Sequence, residues 1–332
     1  MAAPPPRQPC PSSPPSLMAD LIEEILLRLP PDDPACLVKA SLVCKLWRHV
    51  LSDTSFSRRY RTFHKTPPLL GYICNLFHGT SQVSRFVPVS TASPISQSGF
   101  NDYWALDCRH GRALMNSFLE TSLIVWNPIN GKLQHLRIPY KYTYCAAAVL
   151  CAIDCCDHRN CSGGPFHVVF VEEGSSPGQA YTHRRLDRGL YFTVIYGNRI
   201  LKYDLTARDL SMIESPCVSG AIVMTTAEEN GGLGFVAVLD GSICMWSLHC
   251  GSDEGTASAR WVHPWVMDLV TILPGGWWIS SHHLIGFVEI AHTILIDSGS
   301  LGIFRLDLKS RQLRKVGKGA PTSYSILPYM SF

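Results

Sequence analysis

The chain has 332 residues, of which 46% are apolar and only 17% are charged. That length suits about two ordinary domains, and a charged share below the roughly 25% average leaves much surface either uncharged or covered by a partner. The 29 basic and 26 acidic residues nearly cancel, at a net +3, which speaks against the basic stripe of a nucleic-acid binder.

No stretch reaches the roughly 18 consecutive apolar residues of a membrane span. The longest small-apolar run, Cys145 to Ile153, suits a buried strand. The opening MAAPPPRQPCPSSPPS lacks the charged start and apolar core of a secretory signal. The 13 cysteines are scattered and odd in number. A reducing cytoplasm or nucleus, with mostly free thiols, is therefore expected.

In chain order, residues 1–15 hold seven prolines and no aliphatic side chain larger than Ala. They cannot bury enough apolar surface to offset ordering entropy, so a disordered tail is expected. Pro6-Arg7-Gln8-Pro9 fits a polyproline docking ligand only formally. Leu21, Ile22, Ile25, Leu26 and Leu29 then recur at helical spacing, with Glu24 and Arg28 four apart in the favourable order. Pro30-Pro31 stops this helix. Asp33-Pro34 starts a second, with Asp33 as N-cap and Pro34 at the first helical position. Leu37 and Val38 supply its apolar face. Leu42, Val43, Leu46, Trp47, Val50 and Leu51 predict a third helix. A further turn or two carries Phe56, Tyr60 and Phe63.

After Thr66-Pro67-Pro68 the helical period fades. Short apolar or alternating runs take over: Leu69–Cys74, Leu123–Trp126, Phe166–Val171, Leu190–Tyr196, Ile200–Leu205, Leu233–Leu239, Ile243–Leu248, Leu284–Ile290 and Leu301–Leu306. Turn residues cluster between them. Many short strands with regular turns mean a sandwich, barrel or propeller. A ragged repeat favours the propeller. Its phrases are Ser122–Pro128, Ile200–Leu205, Ser242–Leu248 and Leu301–Asp307, each a strand with an aromatic, a polar turn and a second strand. Blades of about 40–50 residues give five or six over this length, with room for a degenerate blade between Trp126 and Tyr203. A pair of β-sandwiches is the alternative. The polar stretch from Glu173 to Leu190, and the end of the chain soon after a strand, raise the expectation of an incompletely closed ring.

The N-terminal constellation is specific. Leu17-Met18-Ala19-Asp20-Leu21-Ile22-Glu23-Glu24-Ile25-Leu26-Leu27-Arg28-Leu29-Pro30 is followed by Leu37-Val38-Lys39-Ala40-Ser41-Leu42-Val43-Cys44-Lys45-Leu46-Trp47-Arg48. An acidic Leu-rich helix ending in Leu-Pro and then a Val-Cys-Lys-x-Trp core resembles the plant F-box family. The flank from Phe56-Ser57-Arg58-Arg59-Tyr60 to Phe63–Gly71 looks like its grass-type branch. Met18 stands where the family usually has proline, which loosens the helix start slightly. The resemblance implies an α+β multidomain chain. Its parts would be a tail at 1–15, a three-helix F-box at 16–56, a linker at 57–68 and a β-propeller-like substrate-binding domain at 69–332. It also implies a Skp-type adaptor as partner, and through it a cullin and a RING subunit, with a protein substrate on the β domain and no chemistry of the chain's own. The adaptor-binding set would be Leu17, Leu21, Ile22, Ile25, Leu26, Leu29, Pro30, Leu42, Val43, Cys44, Trp47 and Leu51. Physics agrees: so small a helical unit cannot hide all of these apolar side chains, and unhidden apolar surface signals a partner. Trp47 is the expected anchor.

Other chemistry has less support. Cys151, Cys155, Cys156, His158, Cys161 and His167 crowd one stretch and are of zinc's ligand types. Their spacing lacks two clean ligand pairs, so a Cys-rich loop without metal is the expectation. No cofactor is expected. There is no G-x-S-x-G elbow and no phosphate loop, and Gly231-Gly232-Leu233-Gly234 lacks the context for a dinucleotide. Trp277 and Trp278 are candidate substrate contacts, with blade packing the plainer role.

Overall fold

The structure is a computed structural model. It describes residues 19–31, 34–65, 67–78, 81–89, 98–117, 119–120, 122–137, 145–153, 156, 158, 161, 163–172, 183–186, 189–193, 199–216, 222–226, 232–250, 259–269, 282–288, 292–317 and 323–331. The chain divides into two compact units, Met1–Lys65 and Thr66–Phe332. Leu17, Met18, Asp33, Cys155, Trp277, Trp278 and the Pro-rich tail lie outside the described residues.

The first unit is helical, with α1 (Ala19–Leu27), α2 (Pro34–Ser41), α3 (Lys45–Ser52) and α4 (Thr54–His64). Helix α2 begins on Pro34, as its pre-set φ favours. The third helix starts at Lys45, three residues later than its apolar pattern suggests, with Cys44 in extended N-cap conformation. Leu42 and Val43 thus lie in the turn between α2 and α3. Asp53 caps α4 by accepting a hydrogen bond from the Ser55 amide at 2.9 Å. The core is Ile22, Leu26, Leu27, Ala40, Phe56 and Tyr60, with Leu29, Leu37, Trp47, Val50 and Leu51 packed against it.

Helix α4 belongs to this core and is not a linker. Phe56 and Tyr60 are buried in it. Tyr60 Oη donates to the Leu29 carbonyl at 2.8 Å, and His64 Nε2 lies 2.8 Å from the Leu27 carbonyl. These oxygens lie at and just beyond the C-terminal end of α1, where a helix leaves its last carbonyls in need of other partners. Arg59 bridges Glu23 and Glu24 on α1. The helical unit therefore runs to Lys65, past the expected boundary at 56.

The second unit is all-β. Five four-stranded antiparallel sheets form blades. The first joins β1 (Leu69–His78), β2 (Ser81–Pro88) and β3 (Ser98–Asn101) to the last strand of the chain, β22 (Ser323–Met330). The second has β4 (Tyr103–Arg109), β5 (Arg112–Ser117), β6 (Ser122–Trp126) and β7 (Leu133–Arg137). Next in sequence, β8 (Cys145–Cys151) and β9 (Phe166–Glu172) form a two-stranded sheet. Three further blades follow: β10 (His183–Leu186), β11 (Gly189–Thr193), β12 (Arg199–Asp204) and β13 (Asp209–Glu214); β14 (Ile222–Thr226), β15 (Leu233–Leu239), β16 (Ser242–Cys250) and β17 (Ala259–Asp268); β18 (His283–Val288), β19 (Thr293–Asp297), β20 (Ile303–Asp307) and β21 (Leu313–Gly317).

The apolar clusters show how these sheets stand. One core lies between each consecutive pair. Phe86 and Tyr329 of the first blade pack on Met115 and Trp126 of the second. Leu114 and Val125 of the second pack on Ala147 and Val149 of β8. From the opposite face of β8, Ala146, Ala148 and Leu150 meet Leu190 and Phe192 of β11. The series continues through Ile200 with Phe235, then Ile243 with Ile294, and returns through Leu295 to Ile326 of β22. The period-2 alternation of a strand gives β8 two apolar faces, one for each neighbour. The two-stranded sheet thus holds a blade's place between two full blades, where the degenerate blade was expected.

The ring closes. Strand β22 pairs with β1 from Leu69↔Met330 to Leu76↔Ser323, so the end of the chain completes the first blade. This overturns the expectation of an open ring, because the final strand is spent on closure. The polar stretch near Glu173 supplies β10 and β11 from residue 183 onward. Each repeat phrase lies on the third strand of its blade, β6, β12, β16 or β20. Three end in a turn to the fourth strand that an Asn or Asp side chain closes on a backbone amide two or three residues on. Asn127 Oδ1 accepts from the Ile129 amide at 3.0 Å, Asp204 Oδ1 from Thr206 at 2.8 Å and Asp307 Oδ1 from Ser310 at 2.7 Å.

Candidate functional site

The expected adaptor-binding residues divide by burial. On α1, Ile22 and Leu26 face inward, and Leu26 is 0% exposed. Leu21 and Ile25, also four apart, face outward at 50% and 44%. One helix thus carries two apolar stripes, and only one is used by its own unit. In the α2–α3 turn, Leu42 is 78% exposed and Val43 62%. Cys44 and Pro30 are exposed, whereas Leu29, Trp47 and Leu51 are half-buried against the core. Trp47 therefore helps to hold the helical unit together as well as presenting an edge.

Two further apolar side chains stand exposed beside this set, Val38 on α2 and Leu46 on α3. The adaptor-binding set read from sequence omitted both. The signal was their spacing: Val38 lies four residues before Leu42 and Leu46 four after, so all three could have been grouped. Helix α3 touches both α1 and α2, so these residues sit on neighbouring elements. A single exposed leucine needs no explanation. Six exposed branched aliphatic side chains on a unit this small do. The surrounding charges are structural. Arg28 binds the Glu24 carboxylate at 2.8 Å along α1, and Arg59 binds Glu23 and Glu24 from α4. The exposed apolar residues are left without a charged cover of their own in these pairs.

The cysteine-rich stretch gives a different picture from its irregular spacing. Cys151 ends β8, and Cys156, His158 and Cys161, which follow it before β9, lie beside it. Their ligand atoms all lie within 4.8 Å of one another. Cys155 lies outside the described residues, and the side chain of His167, on β9, is exposed. Burial, then the neighbouring Cys151 and Cys156, push the Cys161 thiol up to about 12.

Comparison with known proteins agrees with the helical unit. The F-box domain family matches residues 16–59. An F-box protein of Arabidopsis thaliana is 30% identical over 147 residues, a stretch that covers 39% of this chain and 39% of that protein. The match thus spans about two fifths of that relative's length. Among solved structures, the chain is similar to an inactive virginiamycin B lyase of Staphylococcus aureus bound to quinupristin, at 11% identity and a TM-score of 0.42, covering 76% of this chain and 84% of that one. It is also similar to a protein of unknown function from Desulfotomaculum acetoxidans, at 10% identity and 0.45, covering 79% and 90%. A β-propeller domain from Myceliophteria thermophila gives 11% and 0.41, covering 74% and 88%. The propeller assignment itself rests on the sheet order and the six inter-sheet cores. Among the described residues, no helix is long and apolar enough to cross a membrane.

Proposed function

We propose that the chain is a substrate-recognition subunit of an SCF-type cullin-RING ubiquitin ligase. Its F-box docks a Skp-type adaptor through Leu21, Ile25, Val38, Leu42, Val43 and Leu46, and its propeller holds a target protein. The chain then contributes binding and placement, with the chemistry supplied by the assembled ligase in the cytoplasm or nucleus. The observation that carries this reading is the unpartnered apolar set on a unit that matches the F-box domain. In an interface of this kind a few well-buried side chains carry most of the binding energy, about 2 kcal/mol or more each on truncation. A propeller suits the second task because its blades present many loops on one rigid frame.

The test is a pull-down of the recombinant chain with a plant Skp-type adaptor. Leu42→Asp with Val43→Asp is the informative variant, since both side chains already face water and the fold does not need them. We expect strong capture of the wild type and at least a tenfold loss in the variant, at an unchanged melting temperature. No capture by a folded wild type would make the F-box a relic and the propeller the place to seek function.

A further inference from the structure

We propose that Cys151, Cys156, His158 and Cys161 form a tetrahedral zinc site of the Cys3His type, which pins the β8–β9 connection of the two-stranded sheet. Three cysteines and a histidine are zinc's preferred donors, and four protein ligands leave no open position, as in a structural site. The donor atoms already converge within 4.8 Å. Zn–S bonds of about 2.3 Å set tetrahedral edges of about 3.8 Å. Cys161 Sγ and His158 Nδ1 are 3.8 Å apart, close to the shorter S–N edge of about 3.6 Å that a Zn–N bond of about 2.0–2.1 Å gives. The rest needs a contraction of at most about 1 Å, within reach of cysteine rotamers.

The surroundings suit thiolates. The Ile153 amide donates to Cys151 Sγ at 3.5 Å, and the His158 amide donates to Cys156 Sγ at 3.4 Å. Each is an amide two residues on, directed at a ligand sulfur, and such donors stabilise a metal-bound thiolate. Three thiolates, one neutral imidazole and Zn2+ sum to a charge of −1. The compensating cation is at hand. Arg112 is 2% exposed, and its Nη2 donates to the carbonyls of Cys161 at 2.5 Å and Gly164 at 2.6 Å. A buried guanidinium needs a negative neighbour. The His110 ring packs beside that of His158, 4.2 Å apart centroid to centroid and tilted by 38°.

The site also answers a structural need. Ordinary hairpin loops run about two to five residues, whereas the β8–β9 connection covers 152–165. It belongs to the sheet with two described strands where its neighbours have four. A metal supplies the constraint that further strands supply elsewhere. Binding is a ligand exchange without redox change. Three thiol protons pass to solvent, three Zn–S bonds and one Zn–N bond form, and the ion sheds its water.

The experiment uses the full chain, expressed with added zinc and purified under reducing conditions. Metal analysis should find about one zinc per chain. Cys156→Ser and Cys161→Ser should reduce it to background, while Cys74→Ser, on the first blade, should retain it. Cobalt(II) added to the stripped wild type should give the intense visible bands of a tetrahedral, sulfur-rich site. That readout needs no variant and so survives any folding defect. Background zinc in the folded wild type together with no cobalt spectrum overturns the proposal. So does a disulfide between Cys151 and Cys161 under the same conditions, or full zinc retention by Cys161→Ser.

Discussion

At the residue scale, neighbouring apolar side chains on α1 have opposite fates. Leu26 is sealed in the helical core, and Ile25, the residue before it, is exposed. Substituting the two should separate stability from binding. Leu26→Ala leaves a cavity and should cost about 2–5 kcal/mol of the helical unit's stability. Ile25→Ala should change stability by less than about 0.5 kcal/mol, as surface substitutions do. Hydrogen exchange of α1 and α4 amides measures both, and equal loss of protection in the two variants would contradict the burial pattern. Trp47 falls between them, because it packs on the core. A Trp47→Ala variant that loses adaptor binding would not tell interface from fold. Sequence periodicity alone marks all of these residues as apolar and cannot say which stripe of α1 faces inward. That choice is made by Phe56 and Tyr60 arriving from α4.

At the element scale, strands were legible where the pattern was dense. The run Leu233–Leu239 coincides with β15, and Leu123–Trp126 lies within β6. The outer strands were not, because β7 and β13 are largely exposed and their apolar residues are interrupted by polar ones. Nor were the polar pins between blades visible. Asn75 and Ser84 are buried and join three strands of the first blade to β4. Asn75 Nδ2 donates to the Ala105 carbonyl and to Ser325 Oγ, each at 2.8 Å, and Asn75 Oδ1 accepts from the Ala105 amide at 2.9 Å. Removing that amide takes a partner from the buried Ala105 carbonyl and from Ser325 Oγ, and leaves the Ala105 amide with Ser84 Oγ, at 2.9 Å, as its remaining acceptor. Asn75→Leu should therefore lower propeller stability by about 2–4 kcal/mol, more than one ordinary hydrogen bond. Chemical denaturation followed by β-sheet circular dichroism would show it. A gentler test lies in the third-to-fourth-strand turns. The backbone donor on Ser310 holds the Asp307 carboxyl below its ordinary value. A lowered folded pKa stabilises above the unfolded value and loses that benefit as pH falls through the folded one. Asp307→Asn, which keeps an acceptor oxygen, should thus lose less stability relative to wild type at acid pH than at neutral pH.

At the scale of the whole β unit, the ring depends on a junction between segments far apart in sequence. The repeat made a propeller legible, since its phrases mark the third strands. It could not show closure, because β22 and β1 carry no mark of their pairing and resemble any other apolar runs. Closure has a tight point. Gly286 on β18 lies so close to the Ile326 carbonyl of β22 that a Cβ there would collide with it. The bulge in the β18–β19 register between Leu284 and Gly286 brings the backbone to this position. A methyl group at 286 must push β22 away from β18, and overpacking of this kind costs about 1–3 kcal/mol. The strain falls on the one blade whose sheet is assembled from both ends of the β unit. Gly286→Ala should therefore raise hydrogen exchange in β22 and β1 first, while β5 and β6, covalently continuous within their blade, keep their protection. Removing β22 altogether should go further, exposing the edge of β1 and the face of Phe86, and the truncated chain should aggregate. Uniform loss of protection across all blades in Gly286→Ala would mean that the propeller unfolds as one unit and that the junction is no weaker than the rest.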